Sequence, residues 1–163
     1  MICTINTDAS HHPHFKVGSY AFWVVSDEFR IKKASVFKDP MLRCSDEAEI
    51  KCIINALWIT LRESDSISRV IINTDSQHAI YVFEHNRKMT GRDRLGRDKK
   101  DRQKYNDICR KYRKKSGVDI KNSIEFRKVA AHDNTDTPRN YVNQWCDDRA
   151  KEQLWNYIDK NLR

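Results

Sequence analysis

No stretch of the sequence approaches the length of a membrane span, and the chain reaches Asn6 and Asp8 within a few positions of Met1, which is not the pattern of a secretory signal. No Cys-x-x-Cys pair occurs, and the five cysteines (Cys3, Cys44, Cys52, Cys109, Cys146) are odd in number and mostly embedded in apolar patterns. These absences argue against a disulfide framework or a thiolate zinc site. Free buried thiols in a reducing, cytoplasmic setting are expected instead. Internal repeats and long low-complexity linkers are also missing, so one domain over residues 1–163 is expected, as a monomer with no membrane partner.

What the chain has in excess is positive charge: 31 Lys and Arg against 23 Asp and Glu, a net +8. Such a balance suits a polyanionic partner. The excess is local. Between Glu84 and Lys115 stand 14 basic and 5 acidic residues, so a basic insertion or helix is expected at about 86–115. Its first half, with Gly91 and Gly96, reads as a loop or protrusion. Tyr105, Ile108, Cys109 and Tyr112 then repeat at helical spacing and Gly117 supplies a stop.

The other segments give a clear order of elements. Ile2 to Asp8 alternates as a strand, and His11-His12-Pro13-His14 reads as a solvated break after it. Val17 to Ser26 and Ile31 to Phe37 read as the next two strands of an antiparallel meander. Ile50, Ile53, Ile54, Leu57 and Leu61 then follow the apolar spacing of a helix, with Ser45 as its expected N-cap and Asp46 and Glu47 as solvated first-turn acids. Val70 to Thr74 is a fourth strand, Ser76 to His85 a short helix, and Ile124 to Ala130 a fifth strand. Asp133 to Arg139 reads as a polar loop. From about Asn140, Val142, Trp145, Cys146, Ala150, Leu154, Tyr157 and Ile158 mark a last helix. The four tryptophans (Trp23, Trp58, Trp145, Trp155) read as core or core-edge residues.

Four acids hold special places in this order. Asp8 and Asp75 stand at strand ends, where α/β proteins often place their chemistry, and Glu49 and Asp147 stand in early turns of amphipathic helices beside the apolar stripe. Taken singly, Asp8 and Asp75 read as turn or cap acids, and Glu49 and Asp147 as helix-dipole acids. Their joint placement points to a site.

The ordered set resembles the type 1 ribonuclease H family over nearly the whole chain. The resemblance is carried by Thr74-Asp75-Ser76-Gln77, by Ala48-Glu49 followed by Ile53-Ile54-Asn55-Ala56-Leu57, and by Asn143-Gln144-Trp145-Cys146-Asp147. It implies an α/β ribonuclease H-like fold: a mixed five-stranded sheet, antiparallel through the first three strands and parallel through the last two, flanked by helices. It also implies endonucleolytic cleavage of the RNA strand of RNA/DNA hybrids, leaving 5′-phosphate and 3′-hydroxyl ends, with two magnesium ions and manganese as an alternative. Carried over residue by residue, the metal-binding acids would be Asp8, Glu49, Asp75 and Asp147, with His132 assisting proton transfer or product departure. Ser10, Gln77 and Asn143 would contact the substrate, with the 2′-hydroxyl as the group that distinguishes RNA. Lys99, Lys100, Arg102 and Lys104 of the basic stretch would bind the hybrid backbone.

The chain departs from the family pattern at three places. Asp8-Ala9-Ser10 and the following histidines replace a glycine-rich approach, Cys44-Ser45-Asp46-Glu47 replaces an asparagine-rich element, and His132 lies 15 residues before Asp147. Two other readings keep weight. A resolvase- or integrase-like nuclease would cut DNA on the same fold, and a decayed site would leave a nucleic-acid-binding domain. Proofreading exonucleases fit less well, because Ser10 stands where their second first-strand acid would be.

Overall fold

The computed structural model describes residues 1–84, 92–130 and 137–163. Five strands, β1 (Ile2–His12), β2 (Val17–Val25), β3 (Arg30–Met41), β4 (Arg69–Thr74) and β5 (Ile124–Lys128), form one sheet in the order β3-β2-β1-β4-β5. The β1-β2 and β2-β3 pairs are antiparallel, whereas β1-β4 and β4-β5 are parallel. The expected mixed sheet is therefore present. Among the described residues four α-helices flank it, α1 (Ser45–Glu63), α2 (Gln77–Glu84), α3 (Arg92–Ser116) and α4 (Pro138–Asn161).

The period-2 alternation of the strands sorts residues to two faces. Cys3, Ile5, Tyr20, Phe22 and Val24 join the large core beneath α1, α2 and α3, together with Ile50, Ile53, Leu57, Val70 and Ile72. Ala21 and Trp23 point the other way and pack with Cys146 and Ala150 of α4. Val17 meets Leu154 and Ile158 of the same helix. Each fully buried isoleucine or leucine in these layers contributes about 1.5–3 kcal/mol. Ile53 and Leu57 have no accessible surface, so the stripe read from the sequence is the seam that seats α1. Ser19 fastens the opposite layer by donating its hydroxyl to the Ala150 carbonyl.

Several expected boundaries moved. β1 continues through His11 and His12, and the His11 ring Nε2 lies 2.7 Å from the Leu42 carbonyl oxygen, so these histidines belong to a strand and its hairpin rather than a solvated break. Lys16 turns that hairpin with φ +55°. The N-cap of α1 is Cys44 rather than Ser45, and the Glu47 carboxylate accepts the Arg43 N–H at 3.0 Å instead. The fifth strand stops at Lys128, two residues short of Ala130. Thr137 caps α4, accepting the Asn140 N–H on its hydroxyl. Residues 133–136 of the expected polar loop lie outside the described residues.

The largest difference lies in the basic stretch. Helix α3 already begins at Arg92, so the segment around Gly96 read as a loop is helical. The second half of α3 carries the expected apolar stripe, with Tyr105, Cys109 and Tyr112 buried in the large core and Ile108 packed against it, and acids anchor the turns that precede it. Asp98 and Asp101 are 6% and 5% exposed, Asp98 lies 3.5 Å from the His78 ring of α2, and Asp101 lies 4.0 Å from Lys51 of α1. The tryptophans divide as well: Trp23 is buried, but Trp58 and Trp155 are 45% and 42% exposed. No described helix is long and apolar enough to cross a membrane.

Candidate active site

The same dipeptide occurs on β1 and β4: Thr74-Asp75 stands at the carboxyl end of β4, and Thr7-Asp8 just past the last residue of β1 that pairs with β4. Asp8, expected at a strand end, therefore lies inside β1, which runs on beside β2 to His12. Parallel pairing matches Asn6 with Asn73, so extending that register by two residues aligns Asp8 with Asp75. Alternation then gives the two members of each dipeptide different tasks. Thr7 and Thr74 both reach Glu49 of α1, donating their hydroxyls to the same oxygen, Glu49 Oε1, at 2.7 and 2.8 Å. Asp8 pairs across the ladder with Ala21, whose side chain lies on the α4 face of the sheet. The Ala9 N–H donates to Asp8 Oδ1 at 2.9 Å, and the Cys52 thiol packs below on the Asp8 carbonyl oxygen.

One carboxylate oxygen from each of Asp8, Glu49 and Asp75 lies within 4.8 Å of the others. Glu49 is buried, Asp8 half-buried and Asp75 exposed, so the trio opens from the core to solvent where β4 ends. The helix-capping role that Asp75 could have filled belongs to Ser76, whose hydroxyl accepts the Ala79 N–H at 3.1 Å. Asp147 is not part of this trio. It extends from α4, and its carboxylate is held by Lys151 one turn later at 2.9 Å. Its charge nevertheless acts on Asp8.

Electrostatics mark the trio as strained. Burial pushes the Asp8 carboxyl up to about 9, reinforced by the charges of Glu49, Asp75 and Asp147 and opposed by the Ala9 N–H. Burial and then Asp75 raise Glu49 to about 7, against the lowering effect of the Thr7 and Thr74 hydroxyls. Acids packed this closely share protons at neutral pH unless a cation neutralises them. All the donors are hard carboxylate oxygens with one open side, a set that fits a magnesium-type ion retaining water or substrate ligands. Sulfur and imidazole, which would favour a softer metal, are absent from the trio.

The remaining expected residues are distributed as follows. Ser10 is half-buried on β1 two residues beyond Asp8, Gln77 opens α2 two residues beyond Asp75, and Asn143 stands one helical turn before Asp147. Lys99, Lys100 and Lys104 are exposed on α3. Arg102 differs: it is half-buried, and its Nε donates to the Val82 carbonyl at 2.8 Å, tying α3 to α2. His132 lies outside the described residues. No role for Thr7, Thr74 or Lys151 followed from the sequence, although Thr74 stands in the motif around Asp75. The repeated Thr-Asp and the four-residue spacing from Asp147 to Lys151 were the available signals.

Residues 2–154 match the family model for RNase H. No curated protein matches the sequence. Among solved structures, RNase H1 from the halophilic archaeon Halobacterium salinarum is similar at 14% identity and TM-score 0.66, covering 96% of this chain and 99% of that one. The N-terminal RNase H domain of a Mycobacterium tuberculosis protein, as a fusion with maltose-binding protein, aligns at 13% identity and TM-score 0.64 over 93% and 98% of the two chains. LC11-RNase H1 in complex with an RNA/DNA hybrid aligns at 12% identity and TM-score 0.62, over 96% and 99%. At these identities the structures establish a shared fold, and the family model, matched from the first strand into the last helix, establishes that this chain belongs to the RNase H family.

Proposed function

We propose that this protein is a metal-dependent endonuclease that hydrolyses the RNA strand of RNA/DNA hybrids. The observation that carries the reading is the convergence of Asp8, Glu49 and Asp75 within 4.8 Å where β4 ends beside β1, under conditions of burial and mutual repulsion that a divalent cation relieves. Asp8, Glu49, Asp75 and Asp147 would hold two magnesium ions, with manganese able to replace them. Bound there, such ions supply Lewis-acid stabilisation of the phosphate and a nucleophilic water at neutral pH.

The chain's own residues prepare that chemistry. Thr7 and Thr74 fix Glu49 Oε1, leaving Oε2 as the oxygen not bound by either hydroxyl. Lys151 orients Asp147 through its ammonium. Ser10, Gln77 and Asn143 flank the acids and are assigned to the RNA strand, where contact with the 2′-hydroxyl selects RNA over DNA. Lys99, Lys100 and Lys104 are assigned to the hybrid backbone, with Arg102 contributing through its position on α3. His132 is assigned to proton transfer or product departure, giving 5′-phosphate and 3′-hydroxyl ends.

The test is cleavage of three end-labelled substrates, a hybrid, a duplex DNA and a duplex RNA, with and without magnesium. Cutting of the RNA strand of the hybrid alone, only with metal, is expected. Preferential cutting of DNA would transfer the site to a resolvase-like nuclease, and binding without cutting would make the protein a nucleic-acid-binding domain.

A further inference from the structure

A slot opens between the C-terminal halves of α1 and α3, enclosing about 120 Å³ and lined by Trp58, Leu61 and Arg62 on one side and Ile108, Lys111, Tyr112 and Lys115 on the other. Spacings of three and four residues place each set on one face of its helix. The α1 residues begin nine positions beyond Glu49, about 14–20 Å along the helix axis, so the slot is remote from the acidic trio.

Its floor is apolar and its rim is cationic. Leu61 and Tyr112 are buried, and the Tyr112 hydroxyl is occupied by the Ile67 N–H and the Ser64 carbonyl, which leaves its ring to face the slot. Trp58 is 45% exposed, a large apolar side chain with area still to bury. The Arg62 guanidinium lies 4.3 Å from the Trp58 ring centre and Lys115 pairs with exposed Asp65, while Lys111 has no ion-pair partner among the described residues. Arg113 and Lys114 add to the positive field from the same turns of α3.

We propose that this slot docks an acidic peptide segment of a partner protein through one bulky apolar side chain. The volume suits a single leucine or phenylalanine, and the surrounding cations suit carboxylates on either side of it. Tryptophan and arginine are the residue types that dominate the energetics of such interfaces. A second copy of this chain is a poor occupant, because its net charge of +8 would face the same cations. A nucleic acid is also a poor occupant, because Arg62 covers one face of Trp58 and takes that face away from base stacking.

The experiment is a fluorescence anisotropy titration of the full chain with a labelled peptide in which one phenylalanine is flanked by aspartate and glutamate. Saturable binding is expected, weakened on the order of tenfold by Trp58→Ala and by Lys111→Glu, about 1.4 kcal/mol each. Replacing the peptide's phenylalanine by alanine is expected to weaken binding similarly. Lys33→Glu, the same charge change on exposed β3, is expected to alter the affinity by less than about twofold at physiological salt. The proposal is overturned by failure of the wild-type protein to bind, by equal binding of the alanine peptide, or by equal losses in Lys33→Glu and Lys111→Glu. It is also overturned if Lys111→Glu weakens hybrid binding and leaves peptide binding intact. Urea unfolding of each variant distinguishes a weakened interface from an unfolded protein.

Discussion

Replacing Glu49 by Gln isolates the electrostatic cost of the acidic trio. The glutamine carbonyl oxygen can still accept both hydroxyls that now reach Glu49 Oε1, from Thr7 at 2.7 Å and Thr74 at 2.8 Å, so the change removes charge while keeping shape and hydrogen bonds. Burial and the nearby Asp75 raise Glu49 from 4.5 to about 7. A carboxyl raised on folding contributes its full stability below its unfolded value and loses it as pH rises through the folded value. Without metal, the wild-type protein should therefore weaken between about pH 4.5 and about pH 7 through Glu49 in addition to Asp8, and the amide variant, which keeps the raised Asp8, should weaken less over that window. The shift corresponds to a ceiling of about 3 kcal/mol, and proton sharing with Asp8 brings the expected gain to about 1–3 kcal/mol. Urea unfolding in EDTA at pH 4 and pH 8 measures it: Glu49→Gln should be the more stable protein at pH 8, with the difference largely gone at pH 4. A variant less stable by the same amount at both pH values would refute the reasoning, because Glu49 would then act only through its hydrogen bonds.

Asp75→Asn should abolish metal-dependent hybrid cleavage while leaving the metal-free fold as stable as the wild type or more so; full activity would remove Asp75 from the site. Magnesium should raise the melting temperature more at pH 8 than at pH 5, because the raised Asp8 and Glu49 carboxyls bind protons instead at the lower pH; an equal shift at both would contradict metal binding by these acids. Replacing Lys99, Lys100 and Lys104 together by alanine should weaken hybrid binding and reduce the slope of its salt dependence by about 0.9 for each phosphate no longer neutralised, with turnover at saturation preserved. Tyr112→Phe should cost about 1–3 kcal/mol in urea unfolding, because the buried Ile67 N–H loses its acceptor at 2.9 Å.

Much of this protein is written locally. The isoleucine and leucine spacing of α1, the alternation of β1 and β2, and the acids that follow Thr7 and Thr74 are short-range patterns whose period states the secondary structure and whose polarity states the buried face. The element order and the antiparallel meander followed from them, and the mixed sheet was implied by the family resemblance. The first half of α3 was less legible, because an Arg- and Lys-rich segment containing Gly96 has no apolar period. Its helix is anchored instead by Asp98 and Asp101 against His78 and Lys51, residues distant in the chain. The extension of β1 through His12 similarly depends on pairing with β2, which a single strand's pattern does not contain.

The site divides along the same line. By itself the sequence singled out Asp75 beyond the end of a strand and Glu49 and Asp147 beside the apolar stripes of helices, since that follows from local period and turn chemistry. Asp8, read as a strand end, lies inside β1 because pairing with β2 carries the strand on to His12. Only the tertiary structure decided that Glu49 is held by Thr7 and Thr74, that Asp8, Glu49 and Asp75 converge while Lys151 holds Asp147, and that burial raises the pKa of Asp8 and Glu49. The physical reason is that repulsion and desolvation depend on distance and on excluded water. Both are properties of the packed sheet and helices, and neither is a property of any one segment.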